Sequence, residues 1–257
     1  MELLINFKRL RGAMLPVNYQ YALSSWIYKV IGQADSQHSA FLHEKGFSFD
    51  GKQFKMFTFS QLDVRPFRIE GNRIRLLGDS VSLTVRFLVD ASLHHFIKGL
   101  FMHQHCGLGI DRDTQVDFEV TTVQVKEPPV FMERMQYTCL SPIVTSTRRD
   151  DGTVQYLSPE DPGFGTNLIQ NLKRKQSALA AHDSDEPQST ASVDTFRLLN
   201  TPRKKGITIK EGTPQESKVI AYLFNFELTV SPDLHEVGYY AGFGEKNSMG
   251  MGCVGVR

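Results

Sequence analysis

The sequence of 257 residues predicts an α+β fold in two halves, on the basis of three observations. Segments that alternate apolar and polar residues are interspersed with segments of helical periodicity, which indicates both strands and helices. In the first half their order is strand, helix, strands, helix, strand, which is the order of a ferredoxin-like or split βαβ unit. Pro128–Pro129 follows the last of these strands, and the second half has a similar but less regular order of strands and helices. We therefore expect two domains, at 1–128 and 129–257.

Local signals support each element of the first half. A strand is predicted in "ELLINFKRL", followed by a helix in "LPVNYQYALSSWIYKVIGQ" that has four apolar residues at helical spacing and Gly32 at its expected end. A second short helix is predicted in "DSQHSAFLHEKG", with Asp35 or Ser36 as its N-cap and Gly46 just beyond its end. The remaining elements are the strands "FKMFTFS", "NRIRLLG" and "SVSLTVRF", the amphipathic helix "DASLHHFIKGLF" and the alternating strand "TQVDFEVTTVQVKE".

The second half begins with a strand in "MQYTCLSPIVTSTRR" and a helix in "PGFGTNLIQNLKRKQSALAAH". A polar loop, "DSDEPQST", precedes the strands "TFRLLN", "GITIK" and "SKVIAYLFNFELTVS". Ser231 is expected to cap a short helix that has Pro232 at its first position. A glycine-rich segment at 242–252 separates this helix from a last strand, "CVGVR".

Composition and charge exclude several classes of protein. The hydrophobic content of 40% and the charged content of 22% are typical of a soluble globular protein. A net charge of +1 provides no overall attraction to nucleic acid, so any basic binding surface must come from local clustering. Three widely spaced cysteines without a CxxC pair predict neither a disulfide framework nor a zinc site. With no signal-peptide core and no apolar run long enough for a bilayer, we expect a cytoplasmic protein without membrane association, metal or other cofactor.

The glycine-rich segment, "GFGEKNSMGMG", contains two Gly-x-Gly pairs. Glycine adopts backbone angles that other residues avoid, and it allows another molecule to approach closely. The segment does not have the GxxxxGK[ST] pattern of a P-loop. It precedes a strand rather than a helix, so the dinucleotide-binding fingerprint does not fit either. From the residues alone, a glycine-rich turn between a helix and a strand is the simpler interpretation.

A wider stretch, "HEVGYYAGFGEKNSMGMG", resembles the glycine-rich loop of the CRISPR-associated repeat-processing endoribonucleases, the sixth Cas family of the repeat-associated mysterious protein superfamily. The segments "VNYQYALSSWIYKVI" and "SAFLHEKGF" resemble the first helices of that family, and "LSPIVTS" resembles its mid-chain strand. The resemblance implies two ferredoxin-like, RNA-recognition-like domains in tandem. It also implies an enzyme that cleaves CRISPR precursor RNA within each repeat without metal, leaving a 2′,3′-cyclic phosphate and a 5′-hydroxyl.

An alternative function of a different class is a non-catalytic subunit that holds repeat RNA inside a CRISPR effector assembly. The sequence leaves open whether other effector subunits bind and whether the protein is a monomer or a homodimer.

The same resemblance implies a histidine and a tyrosine in the catalytic site. His43, in "FLHEKG", falls on the histidine position, and the end of a helix favours an imidazolium that can act as general acid. Tyr28, in "WIYKVI", matches the tyrosine and would orient the 2′-hydroxyl or act as base. Without the resemblance, the two residues would be interpreted as a surface histidine at a helix end and a half-buried aromatic residue.

The resemblance also implies a lysine that stabilises the charge of the reacting phosphate, and Lys55 is the best match. On the predicted strand "FKMFTFS", Lys55 would share a face with Phe57 and Phe59. Lys52 lies close by and remains an alternative. Either lysine would otherwise be interpreted as a solvated residue at the start of a strand.

RNA binding is expected at local clusters of basic residues, because such clusters can follow a phosphate backbone. Clusters occur at 148–149, at 173–175 and in "RKKGITIK" at 203–210, and each is also typical of an ordinary solvated surface. We favour 203–210, because its charges are interleaved with a strand pattern. The glycine-rich segment offers backbone N–H groups and a lysine to phosphates. The candidate RNA-binding residues are Arg203, Lys204, Lys205, Lys210, Gly242, Gly244, Lys246, Gly250 and Gly252.

Overall fold

A computed structural model of the protein describes residues 1–109, 114–183, 194–209, 211 and 214–257. In the first half, the helices and strands are β1 (Glu2–Arg11), β2 (Met14–Pro16), α1 (Gln20–Ala34), α2 (Ser36–Glu44), β3 (Phe47–Phe49), β4 (Lys52–Phe54), β5 (Phe57–Phe59), β6 (Phe67–Glu70), β7 (Arg73–Leu76), β8 (Ser80–Phe87), α3 (Asp90–Met102), β9 (His105–Leu108) and β10 (Val116–Lys126).

In the second half, the elements are β11 (Arg134–Cys139), β12 (Ser146–Arg148), β13 (Val154–Tyr156), α4 (Gly163–Asp183), β14 (Thr195–Leu198), β15 (Arg203–Ile209), β16 (Ser217–Leu223), β17 (Asn225–Thr229), α5 (Pro232–Ala241) and β18 (Val254–Val256). A short 3₁₀ turn at Asn247–Met249 lies inside the glycine-rich segment. Within the described part of the chain, no helix is both long and apolar enough to cross a membrane.

Each half is built around one antiparallel sheet with the same topology. The first sheet has the strand order β5-β8-β1-β10-β9, and the second has the order β14-β17-β11-β18. In both sheets the first strand of the unit lies between the third and the last, with β1 between β8 and β10 and β11 between β17 and β18. Two ferredoxin-like units in tandem, as predicted, account for this arrangement. The boundary between residues 128 and 129 stays a prediction.

Alternation along the strands builds the two cores. Leu3, Ile5 and Phe7 of β1 are buried against the helices of the first half, while the residues between them are more exposed. The second core surrounds Tyr137 of β11 and includes Phe243, which belongs to the glycine-rich segment. This segment is therefore part of the second core rather than a free surface loop.

Local structure differs from the sequence predictions at a few positions. Gly32 does not end α1, because the helix continues to Ala34. A Cβ atom on Gly32 would lie only 3.2 Å from the Ser39 hydroxyl, so glycine here permits the close approach of α2. Asp35 caps α2 by accepting a hydrogen bond from the backbone N–H of His38 at 2.8 Å. The segment "SKVIAYLFNFELTVS" is divided at Phe224 into β16 and β17, which belong to different sheets. The segment predicted as the loop "DSDEPQST" lies outside the described residues except for Asp183, the last residue of α4.

Candidate active site

A cleft of about 350 Å³ lies between the two halves of the chain. One wall is formed by residues 52–56, which include β4 and the connection from β4 to β5. The opposite wall is formed by residues 244–249 of the glycine-rich segment and by two residues of α4, Asn171 and Lys175. The fold thus brings together two regions that are almost 200 residues apart in the sequence.

Tyr28 of α1 and His43 of α2 lie in contact beside this cleft. Their ring centroids are 5.4 Å apart, with the ring planes at 81° in an edge-to-face arrangement. Tyr28 is half-buried and also packs on Phe57, whereas His43 is exposed at the last turn of its helix. Burial raises the pKa of Tyr28 to about 12, and a hydrogen bond from the Ser248 side chain acts in the opposite direction.

Lys55 lies next to His43, but its local structure differs from the strand that the sequence predicted. It is not on a strand, since β4 ends at Phe54 and Met56 has a left-handed backbone conformation (φ 55°). The expectation that Lys55 shares a strand face with Phe57 and Phe59 is therefore wrong. Its ammonium group instead donates to the backbone carbonyl of His43 at 3.0 Å, and burial lowers its pKa.

Lys52 is exposed on β4 and lines the same cleft as Lys55. The geometry thus brings Tyr28, His43 and Lys55 together and leaves Lys52 as a second cation at the cleft. Their catalytic roles stay predictions.

The four glycines of the glycine-rich segment are buried and adopt left-handed backbone conformations, with φ between +71° and +88°. At Gly252 a Cβ atom would lie 2.1 Å from the carbonyl oxygen of Phe243, so no other residue fits. The N–H groups of Gly250 and Gly252 donate to the carbonyls of Asn247 and Pro142. The glycines therefore shape the segment, and Lys246 is its exposed cation. Contact of Gly242, Gly244, Lys246, Gly250 and Gly252 with RNA stays a prediction.

Lys175 is the residue of this region that sequence reasoning missed. It belongs to the basic cluster at 173–175, which resembles an ordinary solvated surface, yet it is only 1% exposed. Burial lowers the pKa of Lys175 to about 7, while Glu245 acts to raise it. The sequence contained an indication of this burial, because Lys175 lies on the same helix face as the buried Leu168 and Leu172.

The basic strand at 203–209 lies elsewhere. Arg203, Lys204 and Lys205 are exposed at the start of β15, which pairs with β16 in a two-stranded hairpin. The backbone N–H of Thr208 donates to the side chain of Asn18 at 3.3 Å, so the hairpin reaches the first half of the chain ahead of α1. Lys210 lies outside the described residues. The role of this strand in RNA binding stays a prediction.

A second groove, of about 480 Å³, continues the cleft. The two share Lys52, Asn171, Glu245 and Lys246, and the groove adds Arg148 and Arg174. The carboxylate of Glu245 accepts hydrogen bonds from the backbone N–H and the hydroxyl of Ser146, at 3.1 and 3.0 Å. The other charged residues that line the groove are cations, as contact with a phosphate backbone requires, namely Lys52, Arg148, Arg174 and Lys246. Of these, Arg174 also pairs with Asp50 at 3.4 Å.

In the described part of the chain, side chains that could bind a metal ion are not clustered. Among the residues that the structure describes, no three His, Cys, Asp or Glu side chains are placed to share a metal ion. In the "HQHC" segment, Cys106 is buried, and the His105 ring lies 3.7 Å from Asp117.

Comparison with known proteins assigns the family. The N-terminal model of CRISPR-associated protein Cas6 matches residues 14–124, and the C-terminal Cas6 model matches residues 125–256. The chain therefore belongs to the Cas6 family, as the sequence resemblance suggested.

Two curated relatives agree with this assignment. The chain is 29% identical over 244 residues to CRISPR-associated endoribonuclease Cas6 1 of Methanocaldococcus jannaschii, an alignment that covers 94% of this chain and 87% of the relative. It is 27% identical over 252 residues to CRISPR-associated endoribonuclease Cas6 of Pyrococcus furiosus, with 96% and 85% covered.

Solved structures share the fold over the full chain. A Cas6-related protein from Pyrococcus furiosus superposes with a TM-score of 0.81 at 23% identity, covering 100% of this chain and 98% of that one. A structure described as CRISPR associated protein Cas6 gives a TM-score of 0.74 at 26% identity, covering 100% and 99%.

Proposed function

We propose that this chain is a metal-independent endoribonuclease that cleaves CRISPR precursor RNA within the repeat to produce guide RNAs. Membership of the Cas6 family and curated relatives that are named endoribonucleases support the activity and the RNA substrate. The observation that carries the mechanism is the convergence of Tyr28, His43 and Lys55 at the cationic cleft. The 2′-hydroxyl of the RNA gives its proton to water and attacks the adjacent phosphate. The bond from phosphorus to the 5′-oxygen breaks and that oxygen is protonated, which yields a 2′,3′-cyclic phosphate and a 5′-hydroxyl. This reaction takes place in the cytoplasm.

His43 is the general acid of this mechanism. It is exposed at the C-terminal turn of α2, with its ring in contact with Tyr28. From this position it can donate a proton to the leaving 5′-oxygen. Lys55, tethered to the backbone of the same residue, stabilises the additional negative charge on the phosphate, and Lys52 and Lys246 line the same cleft.

Tyr28 orients the 2′-hydroxyl rather than serving as the main base. With a pKa of about 12, only about one Tyr28 side chain in 10⁵ is a phenolate at pH 7. The protonated phenol remains a good hydrogen-bonding group, and its position against the His43 ring is fixed by packing on Phe57.

The RNA strand lies along the cleft and its continuing groove. Lys52, Lys246, Arg148 and Arg174 line this path, so their charges can follow the phosphates. The exposed Arg203, Lys204 and Lys205, together with Lys210, would add contacts outside it.

The test is an incubation of the protein with repeat RNA in EDTA, in parallel with RNA that carries a 2′-deoxy nucleotide immediately before the cut. We expect cleavage of the first RNA and none of the second. The variant His43→Ala should lower the single-turnover rate by about 10²–10⁴-fold while RNA affinity changes little. His94→Ala, which removes an exposed histidine of α3, is the matched control.

Several outcomes would contradict the proposal. A requirement for Mg²⁺ would exclude a metal-independent reaction, and cleavage of the deoxy RNA would exclude attack by the 2′-hydroxyl. Binding without any product would favour the non-catalytic RNA-binding subunit instead.

A further inference from the structure

The ammonium group of Lys175 is enclosed by the glycine-rich segment. It donates to the backbone carbonyls of Gly242 and Gly244, at 2.5 and 2.9 Å, and to the side-chain oxygen of Asn247 at 2.7 Å. An ammonium group has three N–H donors, and these three acceptors match them. The neighbouring Lys173 points outward and pairs with Asp194 at 2.6 Å, so the inward position is particular to Lys175.

Asn247 extends this network across the segment. Its side-chain nitrogen donates to the carbonyls of Phe243 and Met251, at 3.1 and 3.2 Å. Lys175 and Asn247 together therefore hydrogen-bond to backbone carbonyls on both sides of the 3₁₀ turn in the glycine-rich segment. In a segment whose glycines prevent regular secondary structure, these side chains supply hydrogen bonds that a helix or sheet would otherwise provide.

The segment also holds α1, the helix that carries Tyr28. Ser248 follows Asn247, and its carbonyl accepts a hydrogen bond from the hydroxyl of Ser24 at 2.6 Å. Ser24 lies one helical turn before Tyr28 on α1. Hydrogen bonds and one peptide bond thus connect Lys175 through Asn247 and Ser248 to Ser24 of α1.

We propose that Lys175 is a positioning residue of the active site, which fixes the glycine-rich segment so that Ser248 holds α1, and with it Tyr28, in place. This inference rests on the proposed role of Tyr28. It assigns the segment a second task besides contact with RNA, namely orientation of a catalytic side chain. Lys175 itself does not contact the RNA, because its three donors are directed at the protein.

The first test separates chemistry from binding. Single-turnover cleavage of repeat RNA is measured for Lys175→Met, and affinity is measured with the 2′-deoxy RNA over a range of salt concentrations. We expect the rate to fall by about 10²-fold, because a small displacement of a catalytic group has that effect. The affinity should change by less than about 3-fold, and its salt dependence should be unchanged.

Matched variants define the alternatives. Lys246→Met removes the exposed cation of the same segment and should weaken RNA binding and reduce the salt slope by about 1. If Lys175→Met behaved in this way, Lys175 would be an RNA contact and the proposal would be wrong. An unchanged cleavage rate in Lys175→Met would also overturn it.

A spectroscopic test does not depend on cleavage. With ¹³Cζ-labelled tyrosine, the Tyr28 resonance is assigned from Tyr28→Phe and followed in Lys175→Met and in Ser24→Ala, which removes the hydroxyl that donates to the Ser248 carbonyl. We expect a shift in both variants and none in Lys173→Met. If the wild-type protein cut no RNA but the shifts were observed, the coupling would hold while the proposed function failed.

If Lys175→Met did not fold, Asn247→Ala and Ser24→Ala would take its place. The path predicts a slower single-turnover rate and a shifted Tyr28 resonance in both of these variants. Normal rates and an unshifted resonance would overturn the proposal.

Discussion

Lys175 carries a charge at a position that is almost inaccessible to water, and this has a measurable effect on stability. Burial lowers the pKa of Lys175 to about 7 from an ordinary value of 10.5. Between these two values, the unfolded chain keeps a proton that the folded chain has lost. The free energy of unfolding therefore rises with pH in this window.

We predict that Lys175→Met lacks this contribution. Relative to the variant, the wild-type protein should gain about 2 kcal/mol of stability between pH 7 and pH 9, because the cost of burying the ammonium group decreases as it loses its proton. Urea unfolding at a series of pH values measures the difference. Lys173→Met, which removes an exposed lysine two residues before Lys175, should follow the wild-type pH profile. Parallel profiles for wild type and Lys175→Met would show that Lys175 does not titrate in this range.

Single side chains differ in how far the sequence could predict them. Tyr28, His43 and Lys55 were found because their local sequences resemble a family pattern, although the strand argument for Lys55 was wrong. Lys175 was overlooked because a lysine between basic residues is usually solvated. Only the position of its acceptors, which come from residues 67 to 72 positions later in the chain, shows why a buried ammonium group is tolerated.

The glycine-rich segment depends on backbone conformations that only glycine adopts easily. Two separate effects operate at such a position, the strain of a left-handed conformation and the collision of a side chain with its neighbours. Gly252 combines both, since its φ is +80° and a Cβ atom would lie 2.1 Å from the Phe243 carbonyl. Gly71, in the turn between β6 and β7, has a φ of +62° but nothing within 4 Å of such an atom.

We predict that Gly252→Ala destabilises the protein by about 1–3 kcal/mol more than Gly71→Ala, because only the first forces neighbouring atoms to move. Urea unfolding of both variants gives the comparison. Gly252→Ala should also slow cleavage, since the displaced segment carries Ser248 away from α1. Equal losses of stability would mean that the segment accommodates the methyl group by relaxation.

Helices and strands with a clear hydrophobic periodicity were predicted well, but the positions of their ends were predicted less well. The alternation in β1 and the helical stripe of α1 are strong because one face of each is buried. In β10 the sequence alternates as well, but the strand is exposed from Thr121 to its end. Gly32 was expected to end α1, but contact with Ser39 of α2 explains the glycine instead. The division of one strand-like stretch at Phe224 was also missed, because the two resulting strands follow each other directly and differ in the sheet they join.

The sequence order predicted the fold of each half but not how the halves join. Arg86 of β8 is 2% exposed and lies at this junction. Its guanidinium donates to Glu2 of β1 at 2.8 Å and to the carbonyl of Val254 in β18 at 2.5 Å. The same group lies 3.6 Å from the centre of the Tyr239 ring in α5, whose hydroxyl donates to Glu2 at 2.5 Å. One buried cation thus contacts both halves.

We predict that Arg86→Met destabilises the junction by about 3–5 kcal/mol, because the largely buried carboxylate of Glu2 loses its charged partner. Arg75→Met, which breaks an exposed pair with Glu70, should cost less than about 1 kcal/mol. Urea unfolding can follow the first half through Trp26, the single tryptophan, and the entire chain through far-ultraviolet circular dichroism.

In the wild-type protein the two signals should change together, because the junction couples the halves. In Arg86→Met they should separate, and cleavage should be lost at a urea concentration that still leaves Trp26 in its folded environment. The reason is that Tyr28 and His43 belong to one half, whereas Ser248 and Lys175 belong to the other. Coincident transitions and a loss no larger than that of Arg75→Met would show that other contacts between the halves are sufficient to maintain the cleft.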